Sequence, residues 1–403
     1  QARTVGPDRT LTTGEPELEP LSKSGQIFGL GYRSDADAAK LSTAHMVAQS
    51  KATMFRVTIG CPNKTYDEIF EHAAQEEITI LPDIVFIASE IKEKPSGSHE
   101  YSCTSNTETN KIPPPSEHGE WKAELEAIVK RYGHGGTFWA EHSFPHQAEL
   151  IPDHWEIWNE ENTERYGSTE GRIRPAWYGA LLPEAHEAIT NVNPNAQVLI
   201  GGLLTVSKHR PSAKEVEENP ELEDEIAPQT FLKQAGHFED YDDVSLHPYA
   251  FRGVGEVPHA PHNTKDVERI TERVFSSIVE VRGKLHQLGE ETEKMPIWIT
   301  EIGWPINSRG ARNDGTHWLV SESIQRDLLT STFRMMKGET KAFNVRKLHI
   351  AAIMYYNIAD SIEGVPAEKI NNWEYHCGLL EDSPNLEESK KRSAWFAFQA
   401  QAE

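Results

Sequence analysis

The chain is poor in cysteine: 3 in 403 residues. Cys61, Cys103 and Cys377 lack the close spacing of metal-binding cysteines, and an odd count leaves at least one thiol unpaired within a monomer. A Cys61–Cys103 bridge and free thiols both stay open. No run of 18 apolar residues occurs, so no membrane span is expected. Positive charge is outnumbered, with 40 Lys and Arg against 63 Asp and Glu, and the net charge of -23 repels nucleic acid and anionic membranes. Neutral or cationic ligands suit such a surface, although acidity of this kind mainly keeps a protein in solution. The chain starts at Gln1 with no Met and no charged, apolar and small-residue signal pattern, which reads as a processed or trimmed start and fits export. A secreted or extracellular location is the expectation, with the cytoplasm as the alternative. One glycosylation acceptor pattern, Asn63-Lys64-Thr65, is present.

What the chain does have is alternation. After an extended or poorly ordered arm at 1–25, apolar strand-like runs recur: Ile27–Tyr32, Thr53–Ile59, Ile78–Val85, His154–Asn159, Gln197–Gly202, Asp243–Tyr249, Ile297–Thr300 and His349–Tyr356. Helical patterns separate them, at Asp35–Ser50, Tyr66–Gln75, Trp121–Tyr132, Trp177–Asn191, Val267–Leu288 and Ser321–Met336, with a closing helix at Glu387–Gln399 and a short one at Phe231–His237. Eight strands alternating with helices over residues 26–403 predict a single (β/α)8 TIM barrel. A doubly wound open sheet is the alternative, but no Gly-rich dinucleotide fingerprint follows an early strand. Ser89–Glu120, with Pro113-Pro114-Pro115, shows no periodicity and is read as disorder or a loop over the active face. Gly133–Leu150 is read as loop and Lys214–Glu225 as a solvated acidic insertion.

Two of these strands end in glutamate. His154-Trp155-Glu156-Ile157-Trp158-Asn159-Glu160 delivers an amide and a carboxylate into a loop, and Ile297-Trp298-Ile299-Thr300-Glu301 delivers a second carboxylate before Gly303-Trp304-Pro305. All strand C-termini of such a barrel open on one face, so Glu160 and Glu301 converge there. Paired carboxyl groups are the equipment of glycoside hydrolysis, one as acid and one as nucleophile. Strand alternation puts Glu156, Trp158 and Glu160 on one side and Glu161 with Asn159 on the other, if the extended conformation persists. Arg56, in an apolar strand, can hold a carboxylate ionised. His247 and Tyr249, two residues apart, share a side and can donate hydrogen bonds to a carboxylate or a sugar. Trp304, Tyr356 and Trp373 are candidates for stacking on sugar rings, Trp304 being favoured as substrate-binding because it stands three residues beyond Glu301, with core packing the alternative for each. No His-x-His or His-Glu-x-x-His spacing appears, so no metal and no cofactor are expected.

At Trp155–Glu160 and Trp298–Trp304 the sequence resembles the retaining glycoside hydrolases of clan A, most closely proteins similar to family 39, which includes β-xylosidases and α-L-iduronidases. The resemblance implies a barrel over most of Ile27–Gln399, Glu160 as general acid/base, Asn159 as partner of the substrate 2-hydroxyl and Glu301 as nucleophile. It places Arg56, His247 and Tyr249 around that nucleophile. Three features depart from it. The usual Asn-Glu-Pro is Asn159-Glu160-Glu161, strand eight ends in Tyr355-Tyr356-Asn357 where many members have Trp, and no room follows the barrel for a β-sandwich domain. The expectation is a retaining O-glycosidase on a carbohydrate substrate, with carboxyl groups about 5 Å apart rather than the roughly 8 Å of inversion. A barrel that only binds carbohydrate and a metal-dependent barrel hydrolase are the rivals. The sugar and the oligomeric state are not legible.

Overall fold

The computed structural model describes residues 26–31, 35–85, 88–93, 101–105, 111–169, 171–205, 226–250, 260–308, 319–340, 343, 345–362, 365 and 372–403. Eight parallel strands form a closed barrel: β1 (Ile27–Gly31), β2 (Met54–Thr58), β3 (Thr79–Ile84), β4 (His154–Asn159), β5 (Gln197–Leu204), β6 (Asp243–His247), β7 (Ile297–Ile299) and β8 (Ile350–Tyr355). Each pairs with its successor in the chain, and β8 returns to β1 with Ile27 opposite Ala352. That closure leaves no sheet edge, which excludes the open doubly wound alternative.

Strand alternation divides the core into two layers. Outward residues such as Phe55, Ile80, Ile157, Ile200, Ile299 and Ile353 pack with the helices in one large cluster. Inward, Met54, Leu81, Leu199, Trp298, Ala352 and Met354 form a separate apolar plug. Arg56, Asp83 and Thr300, each two residues beyond a plug residue, stack with Glu156 of β4 above the plug towards the open mouth.

The helices follow from capping and stripe. Asn63 accepts hydrogen bonds from the Thr65 and Tyr66 amides at 2.8 and 3.2 Å and starts the helix Lys64–Gln75, which buries Tyr66, Ile69, Phe70, Ala73 and Ala74. The acceptor asparagine is thus also a helix cap. Asn263 caps Thr264–Leu288 through the Asp266 amide at 3.0 Å, and that helix buries Val267, Ile270, Val274, Ile278, Val281 and Leu285 at spacings of three and four. Among the described residues no helix is long and apolar enough to cross a membrane.

Three expectations need correction. The stretch from Ser89 to Glu120 is not structureless: Ala88–Glu93 and Tyr101–Ser105 pair as an antiparallel hairpin, and a helix starts at His118. Backbone pairing of polar residues leaves no hydrophobic period to read. Residues 133–150 hold two short helices, Thr137–Glu141 and Gln147–Leu150; Phe138 and Trp139 of the first pack on Phe70. The C-terminal helix runs Ser393–Ala402, not from Glu387, because Arg392 stays extended and turns its guanidinium onto buried Asp360 at 3.0 Å. The arm at 1–25, the acidic block Lys214–Glu225 and residues 94–100 and 106–110 lie outside the described residues.

Candidate active site

Arg56 is the hub. From β2 its Nε donates to Glu156 Oε2, its Nη1 to Glu301 Oε1 at 2.6 Å and its Nη2 to Asn159 Oδ1 at 2.8 Å, with Asp83 Oδ2 at 3.3 Å. Burial works against its charge, but Glu156, Asp83 and Glu301 outweigh that and hold its pKa above the usual value. Burial, opposed by Arg56, also pushes the Asp83 carboxyl well above its ordinary range, which favours its neutral form. One guanidinium cannot neutralise three carboxylates, so we read Asp83, the most distant, as the protonated one.

Glu160 is delivered by a break in strand geometry. Trp158 and Glu160 both have positive φ, 78° and 48°, which is rare for large side chains and marks local strain. Trp158 therefore turns outward into the core, its indole N–H donating to Tyr166 O at 2.8 Å, and Asn159 turns inward to Arg56. This corrects the strict alternation expected from the sequence. The Glu160 amide donates to Gly202 O at 3.0 Å, while the Thr163 amide and hydroxyl donate to its carbonyl at 2.9 and 2.8 Å. Glu161 does not point with Asn159. It is fully buried near Tyr178, and burial pushes its carboxyl well up.

His247 bridges the two catalytic candidates. Its Nδ1 lies 2.9 Å from Glu160 Oε1 and 3.7 Å from Glu301 Oε2, and its Nε2 lies 3.1 Å from Thr300 Oγ1. A Cβ on Gly202 would fall 2.0 Å from that Nε2, so only glycine leaves room for the ring. Burial, with help from Arg56, lowers the imidazole pKa to about 4, so it is neutral near pH 7. The Tyr249 hydroxyl donates to Glu301 Oε2 at 3.1 Å. Burial raises the Glu301 pKa, opposed by the Arg56 charge and the Tyr249 hydrogen bond.

The side chains of Glu160 and Glu301 keep 16% and 14% of their surface exposed, so both face the mouth. One side-chain oxygen or nitrogen from each of Glu160, His247 and Glu301 lies within 4.8 Å of the others, a set that fits a retaining carboxylate pair.

The structure thus brings together Arg56, Asn159, Glu160, His247, Tyr249 and Glu301. It leaves Trp304 in the core, 5% exposed with its ring 6.2 Å from Tyr355. Trp373 instead reaches the site, 5.3 Å from the Tyr249 ring and 6.3 Å from that of Tyr356. The sequence assigns no role to Glu156, Asp83 or Thr300. For Glu156 and Asp83 the signal is the same as for Arg56: a charged residue inside an apolar strand is costly unless paired.

No family model matches the chain, and no curated protein matches it significantly. Solved structures do. A family 39 glycoside hydrolase from Bacteroides cellulosilyticus has a TM-score of 0.52 and 14% identity, over 94% of this chain and 64% of that one. A monomeric β-xylosidase from Caulobacter crescentus has a TM-score of 0.57 and 14% identity, over 93% of this chain and 67% of that one. A glucosidase from Croceicoccus marinus has a TM-score of 0.57 and 14% identity, over 95% and 68%. The chain therefore spans about two thirds of the length of these proteins, slightly less of the first. At such identity the likeness is one of fold, and the fold is the barrel that these glycoside hydrolases share.

Proposed function

We propose that the protein is a retaining O-glycosidase, a β-glycosidase acting on plant or microbial oligosaccharides or glycosides. The observation that carries this reading is the approach of Glu160 and Glu301 oxygens within 4.8 Å, near the roughly 5 Å of retaining pairs and too close for the water that inversion requires. Glu301, held by Arg56 and Tyr249, attacks the anomeric carbon while Glu160 protonates the leaving oxygen. Glu160 then deprotonates the water that releases the sugar. Asn159, fixed by Arg56, is available to the hydroxyl beside the anomeric centre, and Trp373 offers a ring for sugar stacking. The disulfide at Cys61 supports a secreted or otherwise oxidising location; Cys377 is a buried free thiol.

The test is hydrolysis of an aryl glycoside panel by wild type, Glu160→Gln and Glu301→Gln. Each variant should lose about 10²–10⁴-fold in kcat, with product anomers from wild type retained. Equal rates in all three proteins, or inverted product, would sink the assignment. The rival reading is metal-dependent hydrolysis. Loss of activity with a chelator and its return with a divalent cation would favour that one.

A further inference from the structure

Two hydrogen bonds compete for one hydroxyl proton inside the barrel. Thr300 Oγ1 lies 2.8 Å from Glu156 Oε1 and 3.1 Å from His247 Nε2. Glu156 is fully buried and its other oxygen accepts from Arg56 Nε, so it is held there as a carboxylate, with only acceptors to offer. The Thr300 proton therefore goes to Glu156, and Thr300 can only accept from His247. Nε2 must carry the ring proton. A neutral imidazole has one N–H, so Nδ1, 2.9 Å from Glu160 Oε1, presents a lone pair. A hydrogen bond across that distance needs the proton on Glu160.

Resting on the glycosidase reading, we propose that Thr300 and Glu156 are positioning residues that fix His247 as its Nε2–H tautomer, so that Nδ1 keeps Glu160 in the acid form. In the first step Glu301 bonds to C1, the C1–O bond breaks and the Glu160 proton goes to the leaving oxygen. Glu160 is then a carboxylate facing a lone pair. That repulsion is relieved when Glu160 takes a proton from water as the water oxygen bonds to C1 and the C1–Glu301 bond breaks. One tautomer thus favours the acid before departure and the base after it. Other charged and titratable groups near Glu160 include Glu301, Tyr249, Tyr166 and Arg165, the last paired with Glu374 at 2.5 Å.

The direct test is NMR of the full chain with ¹⁵N-labelled histidine, without substrate, the His247 signals being identified by their loss in His247→Gln. Between pH 5.5 and 7.5 the expected spectrum shows a protonated Nε2 and a bare Nδ1. A protonated Nδ1, or an imidazolium, overturns the proposal even if Glu160 and Glu301 prove essential for hydrolysis. A bare Nδ1 in a protein that cleaves no glycoside upholds the hydrogen-bond chain and counts against the enzymatic reading alone. Kinetically, Thr300→Val should move the basic limb of kcat/KM down by about one pH unit, a tenfold change in proton affinity. Thr300→Ser should restore it, and an unmoved limb in Thr300→Val overturns the proposal.

Discussion

At the residue scale the site depends on how each carboxyl is held. Glu301 must be ionised to attack, yet burial favours its neutral form, so the acid limb of the pH profile should lie above an ordinary glutamate. The Tyr249 hydroxyl donates to the charged form, and a hydrogen bond to a charged group contributes about 1.5–3 kcal/mol. Removing it destabilises the carboxylate and raises its pKa. Tyr249→Phe should therefore move the acid limb of kcat/KM up by about one unit and slow turnover roughly tenfold at pH 5. A limb that stays put or moves down contradicts this role for Tyr249. Gly202 matters through what it lacks. A methyl there would collide with His247 Nε2, so Gly202→Ala should lower kcat by about 10²-fold or more. The far-ultraviolet circular dichroism should be unchanged, and near-normal kcat would show that the ring is not confined there.

At the element scale, β2, β4 and β7 are tied together above the apolar plug by the Arg56 guanidinium. Buried ion pairs add little net stability, but losing one partner strands the others and costs about 3–5 kcal/mol. Arg56→Met should lower the urea unfolding free energy by roughly that amount at pH 8. The deficit should shrink at pH 5, where Glu301, its pKa already raised by burial, takes up a proton at less cost. A deficit that is small, or independent of pH, would mean that Arg56 does not neutralise this cluster. The same strand β4 shows why alternation alone misplaces a side chain. The pattern His154–Asn159 reads as a regular strand, yet positive φ at Trp158 rotates that residue outward and Asn159 inward. Such a turn is set by the packing of Trp158 against the loop at Tyr166, which local period does not encode.

At the scale of the whole molecule, the barrel brings β2, β4, β6 and β7 to one mouth, and a cross-link at Cys61 acts on the unfolded chain. A native disulfide contributes about 2–4 kcal/mol, so Cys61→Ser should unfold at lower temperature than wild type. Reductant should bring wild type down to the variant and leave the variant unchanged; equal midpoints without reductant would exclude a stabilising bridge. The barrel and the two glutamates at strand ends were legible because burial imposes a hydrophobic period of two or 3.6 on each element, and a carboxylate ending an apolar run is conspicuous. The Arg56 hub was partly legible, since an arginine in an apolar strand demands partners, but Glu156 and Thr300 as those partners were not. Trp304, three residues beyond Glu301 in the chain, went to the core, while Trp373, more than seventy positions away, came to the mouth. By itself, then, the sequence determined which segments become strands and which carboxyl groups end them, because those are properties of single elements. Closure of the barrel alone decided which atoms meet across it, hence the separation of Glu160 and Glu301 and the proton on His247, because hydrogen-bond distances depend on the register and tilt of strands far apart in the chain.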